Sequence, residues 1–124
     1  MKKEEILKEV FNQLKEILNS SDQSIYIYID DEHKICNEKF ASMLNYASAK
    51  EWASVKENFP TAFVANKSQP TLIHAFQNAM ESAIGSSMEI EWKKKSGDTI
   101  KTKVILVPIV YNGQRMALHF ISKY

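Results

Sequence analysis

The chain has 124 residues, of which 44% are hydrophobic and 25% are charged, and its formal net charge is +1. This length fits one domain, and the composition is that of a folded globular chain rather than a disordered one. Because the net charge is close to zero, we expect no general attraction to nucleic acid or to an anionic membrane surface.

The cysteine content and the lack of long apolar runs exclude several further classes of protein. Cys36 is the only cysteine, so an internal disulfide and a multi-cysteine zinc site are both excluded. The N-terminus is charged and carries no apolar signal segment, and no apolar run approaches the roughly 20 residues that span a bilayer. We therefore expect a cytoplasmic protein without a metal centre.

The first element is an amphipathic helix, predicted over about Lys2–Asn19. Its apolar residues recur at helical spacing, and its other face carries lysine and glutamate. The apolar stripe consists of Ile6, Leu7, Val10, Phe11, Leu14, Ile17 and Leu18. We treat residues 1–22 as this flanking helix and residues 23–124 as the main domain, and we expect the stripe to form a dimer interface.

Two strands and a set of short helices follow. Ser24–Asp30 is rich in β-branched and aromatic residues, which is typical of a strand, and His33–Cys36 follows it after a turn. Asn37 is a suitable N-cap for a short helix. Ser48 starts a capping box, and Trp52 is placed to pack as its apolar partner.

A longer helix is predicted in the middle of the chain. Residues 56–69 are expected to be irregular, and the helix then starts with Pro70 in its first turn and ends just before Gly85. Its apolar stripe contains Leu72, Ile73, Phe76, Met80 and Ile84. We expect this stripe to cover one face of a sheet.

The last third of the chain is predicted to form three strands: Met88–Trp92, Ile100–Val110 and Met116–Ser122. Asn112-Gly113 is the strongest short hairpin signal. Strands at both ends with helices between them indicate an α+β domain whose antiparallel sheet is covered on one face by helices. Several strands are apolar on both faces, so the first helix is expected to cover the second face, in its own subunit or across a dimer.

Three segments resemble the PAS domain family in order and spacing. Asn37–Tyr46 resembles the Asn-x-x-Phe segment that closes on Gly-Tyr, with Asn45 in place of the usual glycine. Glu89–Asp98 resembles the hairpin that runs from a glutamate to Asp-Gly, and the Asn112-Gly113 hairpin resembles the closing pair of strands. The resemblance covers nearly everything after the first helix, which itself matches the flanking helix common in the family.

Similarity to PAS domains implies a five-stranded antiparallel sheet in the order 2-1-5-4-3 and a pocket between this sheet and the central helices. The candidate pocket residues are Phe40, Met43, Leu44, Trp52, Phe63, Phe76, Met80, Ile90, Trp92, Leu106, Leu118 and Phe120. These residues could also simply fill the space as a core, and a ligand site would need a few polar groups among them.

Two residues could carry cofactor chemistry in such a domain. His74 lies in the region where haem-binding PAS proteins place their iron ligand, so it is a candidate haem ligand. Cys36 lies outside any segment like the Asn-Cys-Arg-Phe-Leu-Gln of flavin-binding light sensors, so we expect a buried structural thiol. The chain has no nucleophile elbow, phosphate-binding loop or zinc motif, so we expect no enzymatic activity.

The resemblance implies a signal-sensing and protein-interaction module. We expect a homodimer that regulates a signalling partner by binding a small apolar ligand or by docking. Two alternatives stay open: a sensor whose chromophore is haem or flavin, and a piece of a larger signalling protein such as a sensor kinase or transcriptional regulator.

Overall fold

A helix, two strands, four helices and three strands follow one another in the computed structural model, which describes residues 1–124. The helices are α1 (Lys3–Ser20), α2 (Glu38–Met43), α3 (Ala49–Ala53), α4 (Phe59–Phe63) and α5 (Gln69–Ser82), with a 3-10 turn at Asn66–Ser68. The strands are β1 (Ser24–Asp30), β2 (His33–Cys36), β3 (Ser86–Lys93), β4 (Thr99–Tyr111) and β5 (Gln114–Lys123).

The five strands form one antiparallel sheet in the order β2-β1-β5-β4-β3, which confirms the predicted fold class and topology. Successive side chains of a strand point to opposite faces. In β1, Tyr26 belongs to the core under helices α2–α4, whereas Ile27 and Ile29 belong to the core under α1. One strand therefore joins two separate hydrophobic cores.

The inner core lies between the sheet and the short helices. It is dominated by aromatic side chains with almost no exposed surface, namely Tyr26, Phe40, Trp52, Phe63 and Trp92. Each large ring buries on the order of 150–250 Å². This aromatic packing holds the short helices, which have little stability of their own.

Helix α1 covers part of the outer sheet face within its own chain. Ile6, Leu7 and Val10 are at most 5% exposed and pack against Ile27 and Met116. The sequence left open whether this contact lies within one subunit or across a dimer, and the structure forms it within one subunit. Four of the seven stripe residues are buried within the chain itself, namely Ile6, Leu7, Val10 and Leu18. These four cannot also form a dimer interface while α1 stays docked.

The rest of the outer face is open. Ile105 of β4 is 50% exposed, and Ile17 near the end of α1 is 57% exposed. The core beneath α1 contains residues of β1, β5 and the distal end of β4, and Ile105 is outside it. Helix α1 was expected to cover the outer face of the sheet. It covers only the part of this face that β1, β5 and the distal end of β4 form.

The segment predicted to be irregular, residues 56–69, contains helix α4 and a 3-10 turn. Asn58 accepts a hydrogen bond from the Thr61 amide at 3.2 Å and so caps α4, with Pro60 in the first turn. Phe59 and Phe63, four residues apart, bury the same face of this helix. The prediction was wrong because a five-residue helix is too short to show a full apolar repeat.

Helix α5 differs from its prediction in its packing face and its end. Its buried residues are Leu72, Ala75 and Ala79, whereas Ile73 and Ile84 are 40% and 52% exposed. Alanines face the sheet because the helix lies close to it, against the side chains of Leu106 and Ala117. The left-handed residue at the helix end is Ala83 (φ 56°) and not Gly85.

The turn and cap predictions fare better. Asn112 and Gly113 have φ values of 49° and 77° and connect β4 to β5 as predicted. Asn45 is left-handed (φ 66°), which agrees with its place in the PAS-like segment where glycine is usual. Asn37 and Ser48 both cap their helices through the side chain.

None of the helices combines the length and hydropathy that a membrane-spanning segment requires.

Candidate ligand cavity

A cavity of about 180 Å³ lies between the inner sheet face and helices α4 and α5. Its lining residues come from β1, α4, α5 and β5, and they are Tyr26, Tyr28, Phe59, Pro60, Leu72, Ile73, Phe76, Gln77 and His119. Strand alternation places the two tyrosines of β1 on this face, two residues apart. The volume slightly exceeds the roughly 150 Å³ of an engineered apolar cavity that holds benzene.

The cavity wall is an array of aromatic rings. The imidazole of His119 stacks on the ring of Tyr26 with a centroid distance of 3.8 Å and an interplanar angle of 10°. The Tyr28 ring meets Phe59 and Phe76 edge-on at 4.9 and 5.1 Å. These stacked and edge-on contacts make an aromatic wall along this side of the cavity.

His119 gives the cavity an electrically neutral polar group. It is only 2% exposed, and burial lowers its pKa to about 3, although contacts with the backbone of Ala117 and Tyr26 act in the opposite direction. Its Nδ1 lies 3.1 Å from the Ala117 carbonyl oxygen. At neutral pH the ring therefore carries one N–H and one unprotonated nitrogen.

The two tyrosine hydroxyls of the cavity differ in their bonding. The Tyr28 hydroxyl donates to Asp31 Oδ1 at 2.7 Å. Burial, followed by the nearby Tyr28, raises the pKa of the Tyr26 phenol well above its usual value, and no hydrogen bond contributes to this shift. Tyr26 thus supplies a neutral hydroxyl that is free to bond with a guest.

Asp31 ties the cavity wall to the turn between β1 and β2. Its Oδ1 accepts hydrogen bonds from the Tyr28 hydroxyl and, at 2.9 Å, from the Phe59 amide. Both Tyr28 and Phe59 line the cavity. One carboxylate therefore fixes the Tyr28 side chain relative to the start of helix α4.

Lys34 fixes the segment between α3 and α4. Its ammonium donates to the carbonyls of Asp31 at 2.8 Å, Ala53 at 3.4 Å and Val55. It also lies 5.4 Å from the centre of the Trp52 ring. Burial, followed by the charge of Lys56, lowers the pKa of Lys34 to about 8. The residue is 4% exposed and pairs with no carboxylate, so its charge is held by carbonyl oxygens and ring faces.

Of the predicted pocket residues only Phe76 lines the cavity, and the other eleven fall into three groups. Seven of them are buried in the inner core and fill it, namely Phe40, Met43, Leu44, Trp52, Phe63, Ile90 and Trp92. Leu106 packs under α5, and Met80 lies on α5 outside the cavity. Leu118 and Phe120 lie on the outer sheet face, because they alternate with Ala117, His119 and Ile121 on the inner face.

Sequence reasoning missed Tyr26, Tyr28, Phe59, Leu72 and His119. The available signal was the alternation of β1 and β5, which places the tyrosines of β1 and His119 of β5 on one face. His119 forms part of the cavity wall.

The residues present do not fit haem or flavin. His74 is exposed on α5 and does not line the cavity. Cys36 is 3% exposed in the inner core, and burial raises the pKa of its thiol. A cavity of about 180 Å³ is also too small for a porphyrin or a three-ring flavin. No cluster of three or more histidine, cysteine or acidic side chains is arranged to hold a metal ion.

No family profile matches the sequence, and no curated protein sequence matches it. Solved structures match closely in fold. A PAS domain from Colwellia psychrerythraea superposes with a TM-score of 0.71 at 16% identity, over 93% of this chain and 97% of that one. A PAS domain of a two-component sensor histidine kinase gives 0.70 at 13% identity, over 94% and 98%. The chain has a PAS fold.

A light-oxygen-voltage domain studied with a flavin analogue superposes on this PAS fold with a TM-score of 0.66 at 14% identity, over 94% of this chain and 84% of that one. Likeness at this identity extends to the backbone only. The inner face carries this chain's own side chains, and its cavity of about 180 Å³ is too small for a flavin.

Proposed function

We propose that this PAS domain is a sensory module that binds a small, planar and uncharged ligand in the cavity next to His119. The observation that carries the proposal is a free Tyr26 hydroxyl and a neutral imidazole in an otherwise apolar, ring-lined space of about 180 Å³. A few convergent polar groups in an apolar pocket are typical of a ligand site. The fold it shares with a sensor-kinase PAS domain supports a sensory role.

Binding is favoured over catalysis by the same groups. The cavity lining contains no carboxylate, lysine, serine or cysteine. A general base needs a pKa near the working pH, and burial lowers the pKa of His119 to about 3. The cavity can therefore hold and orient a guest but has no group that would transfer a proton to it at neutral pH.

The signal would pass through one layer of sheet. Tyr26 and His119 face the cavity on neighbouring strands, while Ile27 and Leu118, which are also paired across those strands, face α1. A guest that moves β1 against β5 changes the surface on which α1 packs. Such a guest would shift the balance between docked and released α1, and a signalling partner would respond to that balance.

The cavity proposal predicts that Ile73→Trp weakens ligand binding by at least about tenfold, because the larger ring would close the cavity mouth. Ile73 is 40% exposed and lines the cavity. Small neutral aromatics such as indole, phenol and benzamide would be titrated by calorimetry and by NMR of the amides of β1 and β5.

Ile84→Trp is the matched control, since Ile84 is a 52% exposed isoleucine just beyond the same helix and away from the cavity. We expect this variant to bind within about twofold of the wild type. Equal binding by both variants, or no binding by any of the aromatics, would count against the cavity as the ligand site.

Homodimerisation through the open part of the outer sheet face is the second component of the proposal. Ile17 and Ile105 are exposed there, and Phe120, paired with Ile105 across the strands, is only partly buried. Glu89 and Lys103 are paired on the same face. A two-fold axis can therefore set apolar residues against each other and glutamate against lysine.

The dimer proposal predicts that Ile17→Glu together with Ile105→Glu converts a dimer to a monomer, because two charges would be buried without partners. Light scattering after size-exclusion chromatography measures the mass. Ile84→Glu introduces the same change at an exposed site elsewhere and should leave the mass unchanged. A wild-type protein that is already monomeric at about 100 μM would rule out this part of the proposal.

A further inference from the structure

Trp52 of α3 carries the one buried side-chain nitrogen or oxygen of this chain that has no hydrogen-bond partner. The atom is the indole Nε1, and the whole residue is 0% exposed. The other indole of the chain is paired, since Trp92 Nε1 donates to Thr102 Oγ1 at 2.8 Å. A buried donor without an acceptor destabilises a fold, and such groups are uncommon in native proteins. The Trp52 N–H therefore has an unused capacity to donate.

The neighbours of the Trp52 ring explain why its N–H is unpaired. The rings of Phe40, Phe59 and Phe63 lie with their centroids 5.2, 6.1 and 5.4 Å from it, and phenyl rings carry no oxygen or nitrogen acceptor. The Lys34 ammonium, 5.4 Å from the ring centre, is itself a donor. An aromatic ring without an N–H would pack in these surroundings without leaving a polar atom unpaired, so the packing does not require an indole.

Trp52 lies directly behind the wall of the ligand cavity. It does not line the cavity, but its ring is 5.7 Å from the ring of Tyr26 and 6.1 Å from that of Phe59, and both of these do. The backbone of Phe59 is held by its amide, which donates to Asp31 Oδ1 at 2.9 Å. Its side chain can turn to another rotamer without breaking that bond. A turned Phe59 would extend the cavity towards Trp52.

We propose that the ligand of this cavity carries a carbonyl oxygen that accepts a hydrogen bond from Trp52 Nε1 once Phe59 has turned aside. The chemical class is a neutral aryl ketone, aldehyde or ester of about two-ring size, larger than the single ring that the cavity now holds. The acceptor is uncharged because no cationic side chain lines the cavity and the Lys34 ammonium is already bound to backbone carbonyls. This inference rests on the cavity proposed above and makes Trp52 a specificity-determining residue of that site.

Two guests of matched shape test the proposal. Indanone carries the carbonyl, and in methylideneindane a methylene group replaces the carbonyl oxygen. Their affinities would be measured by NMR titration on the wild type and on Trp52→Phe, which removes the N–H and keeps an aromatic ring. We expect the ratio of ketone to hydrocarbon affinity to fall by at least about fivefold in the variant. Comparing ratios cancels the different hydration of the two guests and any general loss of packing.

The indole N–H resonances give a second readout on the unaltered chain. The sequence has two tryptophans, so each N–H signal is assigned by its loss in one variant. Indanone should move the Trp52 N–H proton downfield, because the proton becomes hydrogen-bonded, and methylideneindane should not. The Trp92 proton is the internal control, since it is already bonded to Thr102 and should not move downfield with either guest.

The outcomes separate this inference from the proposed function. Indanone that binds without a downfield shift at Trp52, or an unchanged affinity ratio in Trp52→Phe, would overturn the inference and leave the cavity as the ligand site. Binding of phenol or benzamide without binding of indanone would have the same meaning. If no aromatic guest binds at all, both proposals fall. If Trp52→Phe does not fold, the shift in the wild type decides alone.

Discussion

The protein is expected to lose about 2–3 kcal/mol of unfolding free energy between pH 6.5 and pH 4.5 through His119 alone. Burial lowers the pKa of this histidine from 6.5 to about 3 in the folded state. Between those two values the unfolded chain binds a proton that the folded chain excludes. The contribution of His119 is therefore complete above pH 6.5 and is lost progressively as the pH falls towards 3.

Urea unfolding followed by circular dichroism at several pH values measures this loss. His119→Phe keeps a flat ring against Tyr26 and removes the titrating group, so its unfolding free energy should depend less on pH over the same window. His74→Phe is the matched control, since His74 is exposed on α5. The window ends at pH 4.5 because carboxylates such as Asp30 begin to contribute at lower pH, where the ion pair with Lys3 is lost.

An identical pH dependence in the wild type and in His119→Phe would mean that the imidazole is solvated in the folded state. The cavity would then lack the buried neutral imidazole that is expected to bond with the ligand. If the effect holds, a guest that bonds with the neutral ring should bind more weakly at a pH low enough to protonate it, near 3.

The strands and turns could be predicted from the sequence because their signals are local. Ser24–Asp30 and His33–Cys36 are recognisable from composition, and Asn112-Gly113 demands the left-handed turn that the structure contains. The sheet order came from the resemblance to PAS domains and not from periodicity, since no local pattern specifies which strands are neighbours.

The site was less predictable because periodicity tells which face a residue occupies but not whether that face is filled. Trp52 and Trp92 were equally good candidates for a pocket wall and for a core, and the structure packs both into the core. Phe120 rather than His119 was expected on the inner face of β5, which is an error of one residue in the strand alternation. A one-residue slip moves every side chain of a strand to the other face.

Interactions between distant segments left no signal in the sequence. The Asp31 carboxylate binds the Tyr28 hydroxyl and the Phe59 amide, and the Lys34 ammonium binds carbonyls at the end of α3. A charged residue in a turn or a short strand is normally solvated, so no local pattern indicates that either residue makes such contacts. Only the tertiary structure shows that the two residues hold the cavity wall and the α3–α4 segment in place.

Asn37→Ala is expected to cost about 3–5 kcal/mol of unfolding free energy, because one buried side chain makes four hydrogen bonds to the backbone. Asn37 Oδ1 accepts from the amides of Ile25 and Phe40 at 3.1 and 3.0 Å. Its Nδ2 donates to the carbonyls of Leu18 and Gln23 at 3.2 and 3.0 Å. The residue is 3% exposed, so water cannot replace these bonds without a local opening.

Asn58→Ala separates this role from simple helix capping. Asn58 caps α4 in the same way but is exposed, so its loss should cost only about 1 kcal/mol. Both variants would be compared by urea unfolding, with hydrogen exchange of the α1 amides as a second readout. Asn37→Ala should also speed exchange in the last turn of α1, since Leu18 loses its anchor. Equal costs for the two variants would show that Asn37 acts only as a cap, and α1 would then be held to the domain by its apolar stripe alone.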